Sequence, residues 1–224
     1  MLFRSDTPPA EIETELLYPI LRGSDISAYT IHPCRHLVLT HDRQNPERPL
    51  SALPPLAQAW FDQHRARLLE RRSIRTSSYA LSGVSAQIFS PKVVWRDISE
   101  ELAACYVSEK TILPLNTSYY ITVPNEETGL LLAAWFNSTP IRKLCRARAE
   151  HAQNGYRRYF AWLIRDIPWP FKRIQDEDTI TAQIIHLSKK AHENFDHALF
   201  SPKRQAKLDQ LVLKAILRQD GSMV

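Results

Sequence analysis

The sequence predicts an α+β fold, a mostly antiparallel or mixed sheet with packed helices and a C-terminal helical tail. Three observations carry that prediction. Runs rich in β-branched and aromatic residues (91–98, 103–107 and 118–123) follow one another through short connections, as in a sheet of sequential strands. Residues 128–137 are apolar nearly all round, which suits a buried helix. From Asp176 onward, Ile180, Ile184, Leu187, Ala191 and Phe195 recur at steps of three and four, the signature of an amphipathic helix of about five turns. The change of character near residue 176 divides the chain into a main domain, 1–175, and a tail, 176–224. A hydrophobic content of 44% over 224 residues is ample for a core.

The elements follow in order. Residues 1–15 are acidic and polar, with Pro8-Pro9, and form an extended lead-in. Pro19 restricts Tyr18 to an extended shape, Gly23 permits a tight turn, and Ser24 or Asp25 can cap a short turn of helix. A strand is expected around Leu37–Leu39. Four prolines between Pro46 and Pro55 mark a loop that ends in a helix start. Residues 56–72 read as one helix, with Leu56, Ala59, Trp60, Gln63, Leu68 and Leu69 on one face and arginines around it. The strand 91–98 is the clearest of the chain because Val93, Val94 and Trp95 are strong strand formers. After the buried helix 128–137, Thr139 is the expected N-cap and Pro140 the first residue of a second helix. That helix places Ile141, Leu144 and Cys145 inward, with Arg142, Arg146 and Arg148 off that face. Residues 153–159 form a turn carrying two arginines between two tyrosines, and 160–167 resume an apolar pattern that Pro168-Trp169-Pro170 ends. A last helix restarts at Ser201-Pro202, with Leu208, Leu211, Val212, Ala215 and Ile216 on one face.

Charge points to an anionic partner. The net charge is +5. Between Arg142 and Arg173 there are nine Lys and Arg residues, opposed only by Glu150 and Asp166. Arg65, Arg67, Arg71, Arg72 and Arg75 form a second cluster. Arginine grips phosphate or guanine bidentately, and here it is interleaved with aromatics in Trp95-Arg96 and Tyr156-Arg157-Arg158-Tyr159. Three widely spaced cysteines and the lack of an apolar leader fit a reducing cytoplasm, and no apolar run reaches the roughly 18 residues of a membrane span.

Chemistry is harder to find. Five glycines form neither a dinucleotide-binding nor a phosphate-cradling loop. His32, Cys34 and His36 are metal-ligand types close together, but no second cluster has metal-like spacing, so no metal is expected. Asp97 with Glu100, Glu101 or Glu109 and Lys110 could form a small nuclease constellation, a pattern that short acidic stretches also produce by chance. No nucleophile elbow is present. No catalytic residue is assigned.

Residues 16–29, 90–98, 116–123, 130–146, 154–170 and 207–217 together resemble, in order and spacing, the C-terminal target-recognition domain of TaqI-like N6-adenine DNA methyltransferases, which include fused restriction–modification enzymes. In that family the domain opens with a Pro-Leu-Leu-Arg-Gly-Arg-Asp-Ile-like phrase. It continues through a Pro-Lys-Ile/Val strand, an Asn-Thr-x-Tyr strand and a Leu-Asn-Ser helix, and closes an Arg-rich segment with x-Pro-x-Pro. Here Phe136-Asn137-Ser138 replaces Leu-Asn-Ser, and Pro168-Trp169-Pro170 supplies the ending. The catalytic half of the family carries an Asn-Pro-Pro-Tyr/Phe motif and a loop for S-adenosylmethionine, and neither is found in these residues. The resemblance implies recognition of double-stranded DNA by residues 1–175 without chemistry of their own. No cofactor would bind this chain: S-adenosylmethionine would bind a separate catalytic domain, in cis or in trans, into which the base is flipped. The expected contacts are Lys92, Arg96, Tyr156, Arg157 and Arg158, with Arg71, Arg72 and Arg75 as phosphate anchors. Arg22 could instead pair with Asp25. The rival reading is a protein-interaction module that docks a partner through its C-terminal helices.

Overall fold

The structure is a computed structural model, and it describes residues 11–71, 77–169, 179–193 and 201–220. In chain order the first elements are strands β1 (Leu17–Leu21), β2 (Ile26–Ser27), β3 (Thr30–Ile31) and β4 (Arg35–Val38), then helices α1 (Pro55–Gln63) and α2 (Arg65–Leu69). Strands β5 (Lys92–Arg96), β6 (Ile98–Ser99), β7 (Ala104–Val107), β8 (Leu113–Pro114) and β9 (Ser118–Thr122) follow. Helices α3 (Glu126–Asn137) and α4 (Thr139–Arg148) precede strands β10 (Glu150–His151) and β11 (Arg157–Arg158). Helices α5 (Ala161–Arg165), α6 (Thr179–Glu193) and α7 (Pro202–Asp220) are the last elements among the described residues. The α+β class holds, and the strands form small sheets in which β5 pairs antiparallel with both β7 and β9. Among the described residues no helix is long and apolar enough to cross a membrane.

The described residues fall into two compact units. The first draws on Met1–Ile20, Cys34–Phe89 and Thr111–Leu113. In it, β1 runs antiparallel to β4, with Leu17 opposite Val38. Its core joins Leu16, Val38 and Leu53 to Ala57, Trp60, Phe61 and Leu68. The single helix expected over 56–72 is two helices, because the His64 ring takes the Trp60 carbonyl with Nδ1 at 2.9 Å and stacks on the Trp60 indole. The His64 N–H, whose helical acceptor would be that carbonyl, turns to Phe61 O at 3.2 Å instead, and α1 stops there. The buried face also differs from the expected one: Leu56 and Leu69 are exposed, and Ala57 and Phe61 point inward instead. The start of α1 is held by Glu13, whose carboxylate accepts from the backbone N–H groups of Leu56 and Ala57 at 2.7 and 2.9 Å.

The second unit draws on Leu21–Pro33, Ser90–Lys110 and Pro114–Val224. Strand β5 is its centre, flanked by β7 and β9 with α3 and β2 packed against it, and Val93, Val94 and Trp95 are buried there. Helix α3 is capped by Asn125, whose Oδ1 accepts from Thr128 N at 2.8 Å, and packs on β7 and β5. Among the described residues the outer edge of β7 is closed by the Tyr29 backbone N–H, which donates to Ala104 O at 2.9 Å, and by two side chains. Asn137 Oδ1 accepts from Ala104 N at 2.9 Å while its Nδ2 donates to Ala104 O at 2.7 Å, and His192 Nε2 accepts from Tyr106 N at 3.0 Å. The Asn of the Phe136-Asn137-Ser138 phrase is therefore a structural clamp.

Helix α4 begins one residue earlier than expected, with Ser138 at the cap position and Pro140 in the first turn. Ser138 makes no side-chain cap: its Oγ donates to Trp135 O at 2.8 Å, and Asp209 of α7 accepts from Thr139 N at 2.8 Å. Ile180, Ile184, Leu187 and Ala191 of α6 are buried, as are Leu208, Leu211, Val212 and Ala215 of α7. All but Ala191 share one core cluster with Val93 and Trp95. The expected position of Phe195 and the expected boundary at 175/176 lie outside the described residues.

Candidate nucleic-acid interface

Three stretches distant in sequence meet where β5 ends. Gly23 N donates to Thr117 Oγ1 at 3.0 Å, and Asp97 N donates to Thr117 O at 3.2 Å. A Cβ on Gly23 would lie 2.6 Å from Thr117 O, so only glycine allows this approach. The turn Gly23–Asp25 is locked by Asp25, whose carboxylate accepts from Arg22 N at 2.8 Å and from Ser24 Oγ at 3.0 Å. Arg22 thus meets Asp25 through its backbone. Arg96 is half-buried; its Nε donates to Ile26 O and its guanidinium lies 3.4 Å from Ser27 Oγ. Arg22, Ser24, Arg96, Asp97, Ile98 and Thr117, with Gly23, line an open cleft of about 320 Å³.

A ribbon of two-residue strands lies beside that cleft. Arg157 pairs with Ser99 and His151, and Arg158 pairs with Ile98 and Glu150. The arginines expected in a turn are therefore in strand β11. The turn comes just before them, where Asn154 and Gly155 take positive φ of 57° and 79°. Two-residue strands have no periodicity to show in sequence; only pairing with β6 and β10 makes them strands.

The two tyrosines that flank the arginines part company. Tyr159 is fully buried: its N–H donates to Asp97 O at 2.7 Å, its carbonyl accepts from Trp95 Nε1 at 2.8 Å, and its hydroxyl donates to Glu100 O at 3.1 Å. Burial pushes its phenol up to about 12. Tyr156 is exposed. Arg158 is held on two sides, by Asp97 Oδ2 at 3.1 Å and by the Phe160 ring, 4.7 Å from the guanidinium carbon. Asp97 Oδ1 and the Nε atoms of Arg157 and Arg158 are buried without a hydrogen-bond partner among the described residues. Successive strand residues point to opposite faces, so these two arginines, one fixed and one less constrained, can offer their planar donor forks to phosphate or to the guanine edge from the two sides of the ribbon.

The other expected contacts are placed differently. Lys92 has no exposed surface, and burial pushes its ammonium down to about 8, so it offers DNA no surface in this chain. This corrects its expected contact role: as the first residue of the central strand it lies inside the sheet packing. Arg71 belongs to the first unit and donates to Ser78 O and Ala80 O at 2.9 and 2.8 Å, closing its own loop. Arg72 and Arg75 lie outside the described residues. Among the described residues no group of three or more His, Cys, Asp or Glu side chains could hold a metal, and Asp97, the centre of the nuclease alternative, is tied to Arg158. Sequence reasoning missed Ser24, Ile98 and Thr117 as cleft residues and Asp97 as the holder of Arg158. The alternation of Tyr156, Arg158 and Phe160 was the signal that could have shown one face of a strand.

No protein-family model matches this chain, and no curated protein matches it. Solved structures do. The chain is similar to MmeI, a type IIL restriction–modification enzyme solved in complex with DNA, with a TM-score of 0.57 and 14% identity over 91% of this chain. It is similar also to the type IIG restriction endonuclease BpuSI, with a TM-score of 0.52 and 15% identity over 91% of this chain. It spans 28% and 27% of those two proteins, about a quarter of each. At such identities the likeness is one of fold, and that fold occurs within restriction–modification enzymes.

Proposed function

We propose that this chain is the DNA-reading part of an N6-adenine methyltransferase or restriction–modification system. It recognises a sequence in double-stranded DNA and leaves methyl transfer to a catalytic domain, in cis or in trans, that binds S-adenosylmethionine. Such a protein works on DNA in the cytoplasm. The observation that carries the reading is the convergence of the Arg22–Ser24 turn, the β5 exit at Arg96–Ile98 and the Arg157–Arg158 ribbon on one cleft. Base edges are read by forks and apolar contacts that a rigid frame points into a groove, and this convergence supplies both beside one another. Arg22, Arg96, Tyr156, Arg157 and Arg158 form the proposed interface, with Arg72 and Arg75 as further phosphate anchors. The fold shared with MmeI, which was solved with DNA, supports the same reading.

Selection from a pool of random duplexes tests it. Repeated capture by the purified chain at low salt is expected to enrich one short sequence. Recovery of duplexes with no shared sequence leaves at most a phosphate-binding surface. No retention at low salt rejects independent DNA recognition.

A further inference from the structure

One aromatic stands outside the proposed interface with no task in the core. Trp162, in α5, is 48% exposed, although the same short helix buries Leu163 and Ile164. The helix therefore leaves this indole half in water, where a flat ligand can reach it. Its support is unusually well built. The indole stacks on Phe160, with ring centroids 6.3 Å apart and planes 26° apart. Phe160 carries the Arg158 guanidinium 4.7 Å from its centroid and meets the Tyr119 edge at 6.5 Å. Tyr119 stacks in turn on the buried Trp95 at 5.8 Å and 25°. A column of rings thus runs from the sheet core to the surface and ends in an exposed indole, with the Arg158 guanidinium beside its third member, Phe160.

We infer that Trp162 is a stacking platform for one unpaired nucleobase. The inference rests on the DNA-binding reading and deepens it. The occupant the patch fits has an apolar flat face for the indole and a phosphate on the same nucleotide for the exposed Arg165, while Arg158, paired with Asp97, only braces Phe160 beneath the indole. A base within an intact duplex has both faces covered by its neighbours, so the platform takes a base that has left the stack. Two sources share this chemistry, an unpaired base in a duplex and a single strand, and the probes separate them.

The test measures binding of the full chain to three probes of one sequence: a perfect duplex, the same duplex with one unpaired 2-aminopurine, and the single strand carrying it. Stacking on an aromatic side chain contributes roughly 5- to 150-fold in affinity per base. The bulged duplex is therefore expected to bind at least about fivefold tighter than the perfect one, with 2-aminopurine emission quenched on binding. Trp162→Ala is expected to bring the bulged duplex down to the affinity of the perfect duplex, and Trp162→Phe to keep most of the preference. Equal affinities for the two duplexes in the unaltered chain, or a preference that survives Trp162→Ala, overturn the platform. Binding of the single strand alone, lost in Trp162→Ala, supports the platform and rejects the duplex reading. Binding of none of the three rejects both.

Discussion

Lys92 carries its ammonium into a strand buried from Lys92 to Trp95, and burial pushes its pKa from 10.5 to about 8. The Glu109 carboxylate raises it again, but less than burial lowers it. Below pH 8 both the folded and unfolded chains hold the proton, and folding bears the full cost of the buried charge. Between pH 8 and 10.5 the folded chain releases the proton while the unfolded chain keeps it, so stability rises with pH. The cost at neutral pH is on the order of 3 kcal/mol. Lys92→Met, which keeps the stem and drops the charge, is therefore expected to be more stable than the unaltered chain at pH 7. It is also expected to lose the rise in urea midpoint between pH 7.5 and 9.5. A variant less stable at pH 7 would mean that the partners of the ammonium outweigh its burial. From sequence, a lysine opening a strand with arginine at its far end is indistinguishable from a contact residue, because burial belongs to the sheet and not to the residue.

Elements were legible where local chemistry decides them. The strand Lys92–Arg96 and the helix Glu126–Asn137 follow from composition alone, and α6 and α7 from their apolar spacing. Elements decided by distant partners were not. Strands β10 and β11 exist through each other and through β6, and α1 ends because of one histidine ring. The start of α4 belongs to the same class: its capping group is Asp209, 70 residues further on. Asp209 Oδ1 also accepts from Gln205 Nε2 at 2.8 Å, and Gln205 reaches Asn137 O at 3.3 Å, so one carboxylate ties α7 to the α3–α4 junction. Replacing a capping carboxylate by alanine costs about 1 kcal/mol. Asp209→Ala is expected to destabilise the chain by about that amount, and Asp209→Asn, which keeps the acceptor, by less. Equal losses in both variants, measured by urea unfolding, would assign the effect to charge rather than to the hydrogen bond.

At the scale of the whole molecule the sequence showed a basic protein with arginines among aromatics, and the fold sorted those arginines by role. Arg71 closes a loop in the first unit, Arg96 holds the β2 backbone, and Arg157 and Arg158 stand on the ribbon beside the cleft. Which arginine faces which partner depends on pairing register, and composition does not carry register. The last two also differ from each other in a way that divides the work of binding. Arg158 shares its charge with Asp97 and lies over the Phe160 ring. A neutralised, preorganised fork has little pull on phosphate and is suited to a base edge. Arg157 has no ion pair among the described residues and keeps its full charge for the backbone. Each phosphate contact contributes about 0.9 to the slope of log affinity against log salt. Arg157→Gln is therefore expected to lower that slope by about 0.9 and to weaken binding to all duplexes alike. Arg158→Gln is expected to leave the slope nearly unchanged and to cost about 1–3 kcal/mol of discrimination at one base pair of the selected site. A drop of about 1.8 in the double variant, with discrimination intact, would make both arginines phosphate anchors and move base readout to the cleft. If neither the slope nor the discrimination changes, the ribbon does not face DNA.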